Sequence, residues 1–340
     1  MLIKNFWEKL NKDGKNNFEQ IATRKGFGEG LLLAGKQDEN VVALSADLAE
    51  STQTELFKNA FPNRFFEMGV AEQNMASVAS GMARMGKIPF MTSYAMFSPG
   101  RNWEQIRTTI CYNDVPVKII GCHAGVSVGP DGGTHQALED IALMRIIPNN
   151  IVVVPCDAIE AKKATLAIAK NNLPSYLRLF REKSPIITSE ESFFQVGKAN
   201  VMYESVTNPV SAKATTGAIG IIACGEMVAK SLFCVPELEK ENIEVGVLNL
   251  HTTKPLDKEG VKNFVLKYKN ILTVEEHQIA GGMGSAVLEY LAQENLLKDI
   301  NFQMIGVEDR FGQSGTKEEL YEEYKLNEKY ILNKVKSILF

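Results

Sequence analysis

The sequence contains few cysteines, no long hydrophobic run and almost no net charge, and each of these shortages excludes a class of protein. The five cysteines are scattered over 340 residues and form no C-x-x-C pair. This distribution argues against a disulfide framework or a thiolate metal site and is typical of a reducing compartment. No apolar run approaches the roughly 18 residues of a membrane-spanning helix, and the N-terminus has no signal-peptide core. We therefore expect a cytoplasmic protein that does not enter a membrane.

The charge balance excludes another class of partner. Lysine and arginine number 37 against 41 aspartates and glutamates, so the formal net charge is −4. This small acidic excess provides no electrostatic basis for binding nucleic acid or an anionic membrane surface. With 45% hydrophobic and 23% charged residues the composition is that of an ordinary globular protein. At roughly 150 residues per domain, the length predicts about two domains.

The hydrophobic pattern predicts an α/β protein. Short β-branched runs alternate with longer amphipathic segments, such as residues 70–85, whose apolar side chains recur at offsets of three and four. This alternation favours right-handed βαβ units and a mostly parallel sheet. Strands are predicted at residues 41–45, 88–92, 117–121, 151–155, 175–180, 218–223, 244–250, 270–275 and 302–307, and the helices of the second half at 226–240, 257–268 and 283–294.

The same pattern divides the chain. Residues 1–17 are mostly polar and are predicted to form an N-terminal arm, and residues 18–185 form the first α/β domain. The alternation lapses into charged and Ser/Thr-containing sequence over 186–209, which predicts a linker. A second α/β domain is expected over 210–340.

Four loops that follow predicted strands carry the polar residues. Open α/β sheets bind ligands at the carboxyl ends of their strands, so residues 45–51, 68–75, 93–101 and 121–136 are the candidate site loops. The last of these holds two of the four histidines, a carboxylate and five glycines. Taken singly, each residue also has a structural explanation. Glu72, for example, would favour a helix N-terminus.

Seven short motifs follow one another along the chain. They are EMGVAEQNM (67–75), FSPGR (97–101), HAG (123–125) and DGGTHQ (131–136), and in the last domain EEH (275–277), GGMG (281–284) and FGQSG (311–315). Their order and spacing resemble the transketolase family, and more narrowly the separately encoded C-terminal subunit of a split transketolase. The resemblance runs from about Phe18 to the C-terminus and implies a pyrimidine-binding domain followed by a transketolase C-terminal domain, both mostly parallel α/β sheets.

The resemblance implies an activity, the transfer of a two-carbon ketol unit from a ketose phosphate to an aldose phosphate with thiamine diphosphate. Glu72 matches the glutamate that contacts N1′ of the aminopyrimidine and drives the ring to its imino form. Such a carboxyl must share a proton near neutral pH, so burial has to raise its pKa. Phe97 matches the aromatic that packs on the ring, Tyr94 is a companion, and Asp47 matches a carboxylate near the cofactor.

The resemblance also implies the residues that bind substrate. Asp131 would read the C2 hydroxyl of the acceptor. His135 would bond the C1 hydroxyl and carbonyl region of the donor and help proton transfer. Arg178 lies close to the candidate Arg181 in sequence, so which of the two meets phosphate stays open. The positions matching groups that bind the sugar phosphate are Arg24, Ser51, His123 and Arg181.

A missing motif implies a partner. Full-length transketolases hold Mg²⁺ and the cofactor's diphosphate on an N-terminal domain with a Gly-Asp-Gly motif, and this chain contains no Gly-Asp-Gly. The resemblance therefore implies half of each active site here, no metal site on this chain, and Mg²⁺ on an N-terminal transketolase subunit. It further implies a homodimer of this chain within an α2β2 assembly.

Three alternatives stay open. The β subunit of a 2-oxoacid dehydrogenase E1 component shares the domains, the length and the glutamate, but lacks Asp-Gly-x-Thr-His-Gln with an upstream histidine. Deoxyxylulose-5-phosphate synthase shares Thr-His-Gln, but usually has an acidic residue in place of His123 and a much longer chain. A regulatory or scaffolding subunit could keep the fold without turnover, although the residues matched above are intact.

Overall fold

The computed structural model of the chain describes residues 2–13, 17–205 and 217–340. Helices and strands alternate through most of this range. The elements up to residue 185 are α1 (Phe6–Asp13), β1 (Gln20–Ala22), α2 (Thr23–Gln37), β2 (Val41–Ser45), α3 (Glu55–Ala60), β3 (Phe65–Glu67), α4 (Glu72–Arg84), β4 (Ile88–Tyr94), α5 (Trp103–Gln105), β5 (Lys118–Cys122), α6 (Asp140–Arg145), β6 (Ile151–Val153), α7 (Ala158–Ala169), β7 (Ser175–Arg178) and β8 (Lys183–Pro185).

The second half follows the same alternation, and every strand predicted from the sequence is present with ends shifted by a few residues. A π-helix covers Ile106–Cys111, and short 3₁₀ segments cover Pro62–Arg64, Val126–Asp131 and Leu297–Asp299. The elements beyond residue 185 are β9 (Asn200–Glu204), β10 (Gly217–Ala223), α8 (Met227–Lys240), β11 (Ile243–Asn249), β12 (Thr252–Lys254), α9 (Lys258–Tyr268), β13 (Asn270–Gln278), α10 (Met283–Gln293), β14 (Asn301–Val307), α11 (Lys317–Glu323) and α12 (Glu328–Leu339).

The larger sheet has seven strands in the order β12-β6-β7-β5-β4-β2-β3. Every neighbouring pair is parallel except β12 with β6. Successive residues of β2 enter different cores, since Val42 packs with Met75 of α4 while Ala43 packs with Phe27 of α2. Both faces of the strand are therefore covered, which explains its continuous apolar sequence.

The second sheet has five strands in the order β14-β13-β10-β11-β9, and only β9 is antiparallel to its neighbour. The prediction of two mostly parallel α/β sheets is therefore confirmed. Strand β9 lies inside the range 186–209 that was expected to be a linker. It is a short edge strand with a half-exposed pattern, so its apolar content is too low to stand out in the sequence. Residues 206–209 of the expected linker lie outside the described residues.

The two halves of the chain make contacts with each other that the sequence pattern does not predict. Strand β12 belongs by sequence to the second half, yet it pairs with β6 at the edge of the first sheet. In the predicted N-terminal arm, Phe6 is 2% exposed and contacts Phe18 and Phe233. Residues 1 and 14–16 of that arm lie outside the described part. No helix of the described residues combines the length and the apolar character needed to cross a bilayer.

A buried ion pair lies where the two halves meet. Arg178 and Asp140 are each 1% exposed, and Nε of Arg178 donates to Oδ2 of Asp140 at 2.8 Å. The hydroxyl of Tyr176 donates to the same oxygen at 2.6 Å, and Arg178 also donates to the carbonyl of Glu276 at 2.8 Å. Arg178 is therefore occupied by internal partners, which leaves Arg181 as the candidate for phosphate.

We expect Asp140→Asn to destabilise the chain by about 3–5 kcal/mol, because it leaves the Arg178 guanidinium buried without its counter-charge. Urea unfolding of the isolated chain, followed by circular dichroism, measures the loss. The matched control is Glu237→Gln, which breaks the exposed pair with Lys240 and should cost no more than about 1 kcal/mol. Equal losses in the two variants would contradict the role assigned to the buried pair.

Candidate active site

The candidate site lies at the carboxyl edge of the larger sheet, where the loops after β2, β4 and β5 meet. Strands β4 and β5 are parallel neighbours, and Tyr94 is paired in register with Cys122 at their ends. His123, the next residue, consequently stacks on Tyr94 with ring centroids 3.9 Å apart and planes at 23°. The parallel register therefore brings together two residues predicted from separate motifs.

Two more predicted residues join this ring cluster. Phe97 lies 6.1 Å from Tyr94 between ring centroids, with planes at 22°. The imidazole of His135 meets Phe97 edge-on at 5.4 Å and Tyr94 at 6.2 Å. The four predicted rings therefore form one contiguous cluster at the end of the sheet.

Glu72 is the first residue of α4 and is 1% exposed. Its Oε2 accepts a hydrogen bond of 2.7 Å from the Arg101 guanidinium, and its backbone carbonyl accepts one of 3.1 Å from the Asn102 amide. The structure shows no hydrogen bond to Oε1 of Glu72 from the described residues. The helix N-terminus and Arg101 favour the charged form of this buried group. The proton sharing expected from the resemblance therefore stays a prediction.

Arg101 joins the glutamate to the ring cluster. Its guanidinium carbon lies 4.8 Å from the centroid of Phe97 while the same group bonds Glu72. A single guanidinium therefore contacts both the carboxylate and the aromatic ring that the resemblance assigns to one pyrimidine. The sequence interpretation missed this role, although Arg101 belongs to the FSPGR motif, because its partner is 29 residues away.

The predicted basic residues form the second part of the site. Arg24 donates from Nε to the carbonyl of Arg181 at 3.2 Å and from a terminal nitrogen to the carbonyl of Ser51 at 2.6 Å. Arg181 donates to the carbonyl of Val128 at 2.7 Å and lies 3.7 Å from a carboxylate oxygen of Asp131. Ser51 takes part in this arrangement through its backbone carbonyl. Its side chain makes no hydrogen bond to the other predicted residues.

His123 is held in an unusual environment. It is 2% exposed, its φ of 55° lies in the left-handed region, and its Nδ1 has no hydrogen-bond partner among the described residues. Strained backbone of this kind is concentrated at functional sites. Burial, together with the positive charges of Arg24 and Arg181 and the nearby His135, lowers the pKa of His123 to about 3. The imidazole is therefore neutral and can donate one hydrogen bond and accept another.

Asp131 and His135 lie on a sharply bent loop. The 3₁₀ segment Val126–Asp131 is broken at Gly129, whose φ is 82°, and Gly132 follows with a φ of 74°. The side chain of Asp131 is 32% exposed, and the Thr134 hydroxyl lies 2.9 Å from Nδ1 of His135. Both predicted substrate residues thus lie at the surface of the site, with glycine supplying the left-handed turns.

Asp47 is not brought into the cluster. It lies in the loop after β2, two residues beyond the end of the strand, with a φ of 60° and an exposed side chain. Its backbone N–H donates to Glu67 at 2.7 Å, and its carboxylate makes no hydrogen bond to the other predicted site residues. Its place near a cofactor stays a prediction.

A large open cleft leads to the basic residues. It has a volume of about 1160 Å³ and is lined from both halves of the chain. The first half contributes Arg24, Arg181 and Lys183, and the second half contributes Lys230 and Lys317, which form ion pairs with Glu328 and Glu226. Glu72 and Phe97 do not line it. In the part of the chain that the structure describes, no three His, Cys, Asp or Glu side chains are grouped so as to hold a metal ion.

Family models match both halves of the chain. Residues 19–186 match the model described as "Transketolase, pyrimidine binding domain", and residues 211–331 match "Transketolase, C-terminal domain". The chain belongs to the transketolase family, whose members are transferases.

Three similar proteins narrow the comparison. The chain is 41% identical over 315 residues to "Putative transketolase C-terminal section" of Methanocaldococcus jannaschii. The aligned region covers 92% of this chain and 94% of that protein. It is 35% identical over 323 residues to "6-deoxy-6-sulfo-D-fructose transketolase subunit SqwH" of Clostridium sp. (strain MSTE9), covering 95% and 96%. A solved structure described as "Split gene transketolase, inactive beta4 tetramer" superposes with a TM-score of 0.81 at 37% identity, covering 94% and 99%.

We expect the imidazole of His123 to show no titration between about pH 5 and pH 8, because a base with a pKa near 3 is already neutral there. Nitrogen NMR of labelled imidazoles in the isolated chain measures this directly. The His123→Gln variant identifies the signal by its loss. A midpoint for that signal within the range would contradict the assigned environment.

Proposed function

We propose that this chain is the C-terminal subunit of a split transketolase, which transfers a two-carbon ketol unit from a ketose phosphate to an aldose phosphate with thiamine diphosphate. The observation that carries the proposal is the buried carboxylate of Glu72, which the Arg101 guanidinium links to the ring of Phe97 at the edge of the ring cluster that contains His123. The proposal also includes an N-terminal subunit that supplies the Mg²⁺ and diphosphate site, in an α2β2 assembly built on a homodimer of this chain.

The relatives support dependence on a partner. The solved β4 tetramer that this chain resembles bears the description "inactive", and the two sequence relatives are named as a section and a subunit of transketolases. All five cysteines are buried and unpaired, which agrees with the reducing, cytoplasmic setting expected from the sequence.

The residues present fit the pyrimidine half of thiamine diphosphate. When bound, the cofactor supplies a nucleophilic carbon that takes up the two-carbon unit and passes it on. Glu72 offers an acceptor oxygen, Oε1, that no described residue bonds, while Arg101 holds Oε2. Phe97 offers a flat apolar ring for packing, worth about 0.5–1.5 kcal/mol beyond area burial. In this role Glu72 holds the proton at pyrimidine N1′, and its burial keeps competing water away.

The rest of the cluster fits a sugar phosphate. Arg24 and Arg181 carry two fixed positive charges at the cleft, which suits a phosphate dianion. Neutral His123 donates a hydrogen bond to the same group. Asp131 accepts from the C2 hydroxyl of the acceptor, and His135 bonds the C1 hydroxyl of the donor and moves its proton.

We expect the isolated chain to show no ketol transfer between xylulose 5-phosphate and ribose 5-phosphate, even with thiamine diphosphate and Mg²⁺. The reason is that it lacks the diphosphate and Mg²⁺ site. A coupled assay of the chain alone and of the chain mixed with its cognate N-terminal subunit tests this. Turnover by the chain alone would overturn the partner requirement, and oxidative decarboxylation of a 2-oxoacid by the mixture would favour the E1 alternative.

We expect Glu72→Ala to form the complex normally but to lower turnover by about 10²-fold or more, because proton transfer through a positioned carboxyl is worth that much. Gel filtration reports assembly and the coupled assay reports turnover. Glu55→Ala, which removes an exposed carboxylate from the first turn of α3, serves as the matched control. A near-normal rate for Glu72→Ala would refute the role given to Glu72.

A further inference from the structure

The second half of the chain contacts the loop that carries Asp131 and His135. We name residues 126–136 the substrate loop. Its last residue, Gln136, is 2% exposed, and its side-chain nitrogen donates to the carbonyls of Val126 at 3.0 Å and Gly129 at 3.3 Å. The same nitrogen lies 3.0 Å from the carbonyl oxygen of Gln313, so its two hydrogens are shared among three acceptors. One buried amide therefore closes the loop on itself and attaches it to a segment 177 residues away.

That segment, residues 312–315, packs backbone against backbone on the loop, and we name it the clamp segment. A Cβ on Gly133 would lie 2.6 Å from the carbonyl oxygen of Gly312, and one on Gly132 would lie 2.6 Å from Oγ of Ser314. Gly133 has no room for a side chain because the obstacle is backbone, and at Gly132 the left-handed φ of 74° disfavours one. The two glycines therefore permit a contact that any larger residue would force apart.

A carboxylate provides a second attachment. Glu276 is 2% exposed, and its Oε1 accepts a 2.6 Å hydrogen bond from the backbone N–H of Ser127 in the substrate loop. Its Oε2 accepts a 3.1 Å bond from the hydroxyl of Tyr321 on α11. The start and the end of the loop are thus both bonded to the second half of the chain.

The loop needs this support for a physical reason. It contains two glycines in the left-handed region and carries side chains that must meet small hydroxyl groups, for which a misplacement of about 1 Å can cost about 10²-fold in rate. A glycine-rich loop without fixed contacts populates many conformations. Its order therefore depends on contacts made from outside the loop.

We propose that Gln136 and the clamp segment position Asp131 and His135, so that the C-terminal domain contributes to substrate specificity by ordering the substrate loop. Gln136 is a positioning residue in this scheme. The proposal rests on the proposed function for the identity of the substrates.

The test is Gln136→Met, which keeps the length of the side chain and removes its donors. In the complex with the N-terminal subunit we expect KM for ribose 5-phosphate to rise about tenfold. We also expect discrimination against 2-deoxyribose 5-phosphate to fall by a similar factor. The affinity for thiamine diphosphate, measured by calorimetry, should not change. In the isolated chain, amide hydrogen exchange of residues 126–136 should become faster.

A second variant approaches the contact from the other side. A Cβ on Gly312 would lie 1.7 Å from Oε1 of Gln136, so Gly312→Ala should displace the same amide. We expect it to reproduce the KM and exchange changes, and we expect the double variant to be no worse than either single one. Fully additive effects would contradict a shared contact.

The control removes a buried amide elsewhere. Asn200, 6% exposed, donates to the carbonyl of Phe193 at 3.0 Å, so Asn200→Ala should lower stability and leave KM unchanged. Unchanged KM and exchange in Gln136→Met, with an active wild-type complex, would overturn the proposal. If the wild-type complex shows no ketol transfer, the proposed function fails. Exchange in the isolated chain then still decides whether the clamp orders the loop.

Discussion

The site depends on one carboxylate that is removed from water. Glu72 is 1% exposed, and a buried carboxylate costs several kcal/mol unless other groups stabilise its charge. Here a helix N-terminus and the Arg101 guanidinium do so. Hydrophobic packing alone would favour an apolar residue at this position. A buried acid that Arg101 links to an aromatic ring agrees with the cofactor-binding role proposed for it.

The arginines show how tertiary structure separates similar residues. Arg178 is buried and forms a salt bridge with Asp140 inside the protein. Arg181, three positions later, is partly exposed and faces the cleft beside Arg24. Burial, and after it the two charges near the cleft, lower the pKa of His123 and keep the imidazole neutral. The positive charges that would hold a phosphate thus add to the effect of burial on the histidine.

The second half of the chain is part of the site's framework. It adds β12 to the larger sheet, and it bonds both ends of the loop that carries Asp131 and His135. These contacts are strand pairing, a buried amide and the Glu276 carboxylate, and they attach the loop and the edge strand to the second half. A domain that contributes no predicted reacting group therefore still shapes the surface that substrate would meet.

The sequence by itself determined the α/β class, the positions of nine strands and the order of the site loops, because side-chain periodicity and glycine placement are local properties of the chain. The short strands β1, β3, β8, β9 and β12 were not predicted. The resemblance also named Tyr94, Phe97, His123 and His135 as site residues, although it did not predict that their rings contact one another. Only the tertiary structure decided that Arg101 pairs with Glu72, that Gln136 reaches Gln313, that β12 crosses to the first sheet, and that Asp47 stands apart. These contacts join residues that are distant in sequence. The local hydrophobic pattern cannot predict them, because it depends only on neighbouring residues and not on how the sheets pack.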